Sequence, residues 1–191
     1  MTAEHRRLPN DWFPAPLPPN VVVPSTSYLH SSFALLHFRS ERDCGLRVGK
    51  HCSIYDGSCF DLGPEAEVEI GDYCLMWSAT ICANSRVTIG SYVFMSGEVF
   101  VSDSWAPRPP VDRDYDVDPS NETSIVIEDD CWLGVRTTIL AGTHLHRGAI
   151  VGAGAVVDFE VPAFAIVAGN PARVVGSTKP EGDALDARAA G

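Results

Sequence analysis

The 191-residue chain has no run of about 18 apolar residues, so no transmembrane helix is expected. Its opening stretch, "MTAEHRRLPNDWFPAPLPP", lacks the apolar segment of a secretory leader and reads as mature, cytoplasmic protein. Cations are scarce: 14 Lys and Arg stand against 25 Asp and Glu, a formal net charge of -11. That balance argues against nucleic acid or an anionic membrane as a default partner. The cysteines at Cys44, Cys52, Cys59, Cys74, Cys82 and Cys131 form no CxxC pair and are too sparse for a disulfide scaffold. Reduced thiols in a core are therefore expected. With 16 glycines and 14 prolines, the chain favours many turns over long helices.

What the sequence does contain is a repeat. Counting in sixes gives Ile127, Leu133, Ile139, Leu145, Val151 and Val157 without a gap. Four residues after each come Cys131, Thr137, Thr143, Ala149, Ala155 and Val161, all small or β-branched. A helix would repeat near 3.6 and a single strand near 2, so neither accounts for a strict six. Two inward residues per six, one large and one small, suit short strands joined by tight turns. Three sixes then make one turn of a triangular coil.

The same register appears upstream as the triplets Val48, Ile54, Phe60, then Ile70, Met76, Cys82, then Ile89, Met95, Val101. Extra residues between triplets can leave at coil corners as loops, because loop length costs little entropy. Coils stacked at about 4.8 Å pair their backbones in parallel. Stacking places Cys52, Cys74, Val93, Cys131 and Ala149 in one inward column. The expected organisation is a Pro-rich N-terminal arm over 1–24, a coil domain over 25–176 with a loop extruded at 106–125, and a flexible tail over 177–191. Residues 25–47 would supply an irregular first coil.

The stretch from Ile125 to Gly176, with "GAGAVV", an intervening "VP" and "GNPAR", resembles the C-terminal signature of hexapeptide-repeat acyltransferases. It is most similar to the branch that acetylates sugars, antibiotics and other small acceptors. The resemblance implies an all-β fold, a left-handed parallel β-helix shaped as a triangular prism. It also implies acetyl-CoA as co-substrate, a homotrimer, and active sites between neighbouring subunits. Carried over by position, the groove that would hold coenzyme A contains Trp132, Val135, Ala153 and Arg173, the last a cation for a phosphate. Phe159 stands where such proteins often have a lysine. Turn geometry accounts equally for the glycines and Pro171, and a solvated surface charge for Arg173.

Acetyl transfer needs a base for the acceptor, and histidine suits that task because it titrates near operating pH. The family places it in the extruded loop, as "SDH.H"; here the loop opens Asp103-Ser104-Trp105-Ala106, with no histidine. By hexad count, Ala106 after Val101 and His144 after Ile139 should share one corner, with His146 just past it. His144, then His146, are therefore the candidate bases, with Asp103 orienting the imidazole or the acceptor. No third ligand at metal spacing is evident, so no metal is expected. The acidic loop around Tyr115, with Asp112, Asp114, Asp116 and Asp118, fits a cationic or polyhydroxylated acceptor, or simple solvation. The expectation is an acetyltransferase acting by direct attack on the thioester. The competing reading is a non-catalytic β-helix that binds coenzyme A or a sugar, or serves as a scaffold.

Overall fold

Large aliphatic residues at every sixth position need an interior, and a flat strand of two to four residues cannot supply one alone. The chain solves this by coiling. The computed structural model describes residues 8, 11–13, 15–103 and 123–179, which wind as a left-handed parallel β-helix of three faces. Face I stacks Val21–Val22, Leu46–Val48, Glu67–Ile70, Arg86–Ile89, Ile125–Ile127 and His144–Leu145. Face II stacks Tyr28–Leu29, Ser53–Ile54, Leu75–Met76, Phe94–Met95, Trp132–Leu133, Ile150–Val151 and Ala165–Ala168, closed by the antiparallel strand Arg173–Ser177. Face III stacks Cys59–Leu62, Thr80–Ala83, Phe100–Ser102, Thr138–Leu140 and Val156–Val157.

The interior is the column set that the period of six demands. Ile127, Leu133, Ile139, Leu145, Val151 and Val157 are each no more than 1% exposed, and so are Cys131, Thr137, Thr143, Ala149, Ala155 and Val161. Burying one such aliphatic side chain contributes roughly 1.5–3 kcal/mol, which is why the hexad outranks local propensity here. Cys52, Cys74 and Cys131 are buried core thiols, and all six cysteines are free. Burial pushes the Cys131 thiol up to about 11 and that of Cys82 likewise, so neither is a poised nucleophile.

Coils turn through left-handed backbone at the edges. Between faces I and II the turning residues are His51, Tyr73, Tyr92, Asp130, Gly148 and Phe164, each with φ between 58° and 68°. Stacked corners there bring Tyr73 and Tyr92 face to face, centroids 5.0 Å apart. Between faces II and III, coils approach so closely that a Cβ on Gly134 would lie 2.7 Å from the Ala153 amide nitrogen. Glycine is required at that position.

Two sequence expectations about register change. The third inward residue of the second triplet is Ile81, not Cys82: Phe60 pairs with Ile81, which is fully buried, while Cys82 pairs with Asp61 and faces outward. The cause is a corner one residue shorter, three residues from Met76 to the inward Ala79 where Ile54 to Ser58 takes four. The stack also begins earlier than expected. Val21–Val22 lies within the stretch read as an arm, yet pairs with Leu46 and Arg47. Residues 25–47 do form an irregular coil, with a short 3-10 helix at Ser32–Leu35. Ile125, expected within the extruded loop, already opens a strand. Most of the loop, including Ser104, Ala106, Tyr115 and the four aspartates, and the tail from 180 onward lie outside the described residues.

Candidate functional site

His144 and His146 flank the inward Leu145, so both side chains stand on the outer surface of face I and turn the same way. Their rings stack with centroids 3.9 Å apart. In the coil on one side, Val126 pairs with His144 and Ile127 with Leu145, which sets Glu128 beside His146. In the coil on the other side, Val161 bridges to Leu145 and brings Glu160 alongside. The histidine pair thus sits between two carboxylates drawn from adjacent coils.

Glu128 organises the cluster. Its Oε1 lies 2.7 Å from His144 Nε2 and 3.1 Å from His146 Nδ1, and its Oε2 accepts the Arg147 backbone amide at 2.9 Å. Burial alone would push the Glu128 carboxyl up, but the Arg147 amide and the two histidines outweigh it and hold it below the usual range. Glu160 Oε1 lies 2.6 Å from His146 Nε2, and that bond holds the Glu160 carboxyl low and the His146 imidazole high.

These contacts assign the protons. An ionised carboxylate only accepts, so each imidazole nitrogen facing one carries a hydrogen. His146 faces carboxylates with both nitrogens, which favours its protonated form. His144 faces Glu128 through Nε2. Of the two candidate bases, His146 has both ring nitrogens turned to carboxylates and His144 has one. The side chains of His144 and His146 are 34% and 29% exposed, so a small molecule can reach them.

His144, expected at a corner, lies in a strand with Val126 as its vertical neighbour. Val101 does stack on Ile139, and Ala106, the expected corner partner, lies outside the described residues. The loop's return is nearby, since Gly142 donates to the Thr123 carbonyl at 3.2 Å. Asp103 is buried at the loop's foot, and its carboxylate accepts the Asn84 and Ser85 amides at 2.8 and 2.6 Å. The carboxylate against His144 Nε2 is that of Glu128. A third potential metal ligand is present after all: Glu128, His144 and His146 offer ligand atoms all within 4.8 Å of one another. Sequence carried the signal, because Glu128 precedes His146 by eighteen residues, one full coil.

The positions expected to hold coenzyme A lie elsewhere. Trp132 stands outward on face II, half exposed, with its indole Nε1 donating to Ser96 Oγ at 3.3 Å. Val135 and Ala153 occupy successive coils at the edge between faces II and III, where Gly154 donates to the Val135 carbonyl. Arg173 is exposed in the closing strand, beside Ala172, which donates to Val156. Trp132 and Val135 share one coil, Ala153 lies in the next, and Arg173 follows in the closing strand. In a three-sided prism this edge lies opposite face I, so on one chain the histidines and the groove point in opposite directions.

Comparison with known proteins agrees with the coil. Residues 124–158 match the family model described as the hexapeptide repeat of succinyl-transferase. A stretch of 59 residues is 46% identical to 2,3,4,5-tetrahydropyridine-2,6-dicarboxylate N-acetyltransferase of Staphylococcus aureus. That match covers 31% of this chain and 25% of the relative, so the chain spans about a quarter of the curated relatives it matches. Among solved structures, a hexapeptide-repeat acetyltransferase of Vibrio cholerae complexed with acetyl coenzyme A is similar, with TM-score 0.59 and 24% identity over 78% of this chain and 76% of that one. A mutant of AntD, an N-acyltransferase from Bacillus cereus, in complex with dTDP and coenzyme A, gives TM-score 0.58 and 15% identity over 88% and 87% of the two chains. At these identities the likeness is one of fold.

Proposed function

We propose that this hexapeptide-repeat protein transfers an acetyl group from acetyl-CoA to a small hydroxyl- or amine-bearing acceptor, working as a homotrimer in the cytoplasm. The observation that carries the reading is His144: an accessible imidazole whose Nε2 is tied to Glu128 and whose Nδ1 is left to take a proton. The acceptor's hydroxyl or amine attacks the thioester carbonyl as its proton passes to Nδ1. The thiolate of coenzyme A leaves and is protonated in turn, and His144 returns to its starting form. The buried thiols of Cys52, Cys74 and Cys131 give no support to an acyl-enzyme.

The groove supports the donor half. Val135 and Ala153 are small and exposed on stacked coils, Trp132 offers an apolar face, and Arg173 a cation for a phosphate. The named activity of the Staphylococcus aureus relative and the coenzyme A bound by the structural neighbours support the same donor. Because groove and base face opposite ways on one chain, the complete site joins the groove of one copy to the histidine of the next.

The test is thiol release from acetyl-CoA with a panel of sugars, aminoglycosides and amino acids. Release with at least one acceptor is expected, and His144→Ala should slow it by about 10² or more. The absence of a loop histidine favours the rival, a coenzyme A-binding scaffold. That rival prevails if coenzyme A raises the melting temperature while no acceptor releases thiol.

A further inference from the structure

We infer that Glu128, His144 and His146 form a binding site for one divalent transition-metal ion of the zinc or cobalt class. Two imidazole nitrogens, His144 Nε2 and His146 Nδ1, converge on the single oxygen Glu128 Oε1, at 2.7 and 3.1 Å. Metal–ligand bonds of about 2.0–2.2 Å at tetrahedral angles set ligand atoms roughly 3.3–3.5 Å apart. The His144 pair therefore needs to open by roughly 0.6–0.8 Å and the His146 pair by about 0.2–0.4 Å. Glu128 is 37% exposed and able to give by that much.

The surroundings match what a metal-binding histidine has around it. Glu160 accepts from His146 Nε2 at 2.6 Å, fixing the hydrogen there and turning Nδ1 toward the shared oxygen. An outer carboxylate in that position orients the ring and raises its basicity as a ligand. Arg147 holds the far oxygen of Glu128 through its backbone amide at 2.9 Å, which aims Oε1 at the histidines. Two imidazoles and one carboxylate favour zinc, cobalt or nickel over magnesium or calcium, which prefer oxygen. Partial exposure leaves the remaining coordination positions to water.

The protons balance simply. The ion takes the place of the hydrogen on His146 Nδ1, which leaves to solvent. On His144 it takes Nε2, and the hydrogen moves to Nδ1. Metal and proton thus compete for this cluster, and the metal-bound form has no lone pair at His144 Nδ1.

The test is a titration of the purified full-length chain with Co²⁺, followed by visible absorption, without acetyl-CoA or acceptor. A band saturating at one equivalent and displaced by Zn²⁺ is expected. Glu160→Gln, which removes no ligand, should weaken binding about 10–100-fold. The paired substitution His144→Gln and His146→Gln should abolish the band, while His51→Ala leaves it unchanged. Circular dichroism checks that each variant is folded. No band in the wild type, or an undiminished band in the folded double variant, overturns the site. Since nothing in the readout depends on acetyl transfer, either proposal can fail without the other.

Discussion

An imidazole held between two carboxylates is favoured in its protonated form, and that is the situation of His146 between Glu128 and Glu160. His144 differs by a single contact. Glu128 occupies only its Nε2, which on the proposed reading leaves Nδ1 to act as the base. Glu128→Gln should therefore lower kcat by on the order of 10²-fold through loss of the correct tautomer, with KM for acetyl-CoA little changed. Steady-state kinetics separates the two. A second residue-scale expectation concerns Asp11, whose carboxylate takes the Ser31 hydroxyl at 2.6 Å and the Ser32 amide at 2.8 Å. Burial pushes its carboxyl up, but the hydrogen bonds from Ser31 and Ser32 outweigh it and bring it to about 2 from 3.8. A depressed carboxylate stabilises the fold above its ordinary value and loses that contribution as pH falls through the folded one. The melting-temperature gap between wild type and Asp11→Asn should be present at pH 7 and close between about pH 4 and pH 2.

At the scale of the coil, one residue decides which side chain faces inward. Ile81 fills the interior and Cys82 looks out, so Ile81→Ala should destabilise by about 2–5 kcal/mol and Cys82→Ala by much less. Denaturant unfolding of the two variants reads the difference directly. The same example shows what a sequence makes visible. From Ile127 to Val157 the spacing never varies, and burial follows it at every position. Where a corner shortens between Met76 and Ala79, period counting slips by one, because turn length depends on backbone geometry that no side chain announces. The histidine pair was legible as chemistry, but its setting was not. The count from Ile139 puts His144 at a corner, but the fifth place of a hexad, between the inward Thr143 and Leu145, is a strand position on face I. Glu128 was missed although it stands one coil from His146, since a glutamate after an inward isoleucine resembles any solvated charge.

Over the whole prism, the two halves of the proposed chemistry face apart. Face I carries Glu128, His144 and His146, and the opposite edge carries Val135 and Ala153, with Trp132 beside it on face II. No rearrangement of side chains brings them together within one coil, because the core between them is closed. Two copies set side by side can do so, and on the proposed reading assembly is a condition of activity. The most direct measurement mixes two inactive variants, His144→Ala and Ala153→Trp, the second filling the groove, after co-refolding in equal amounts. If the site is built from two chains, random assembly leaves about one quarter of the sites intact, and thiol release should return to about that fraction of wild type. A mixture as inactive as its components, with trimers formed, would contradict the account.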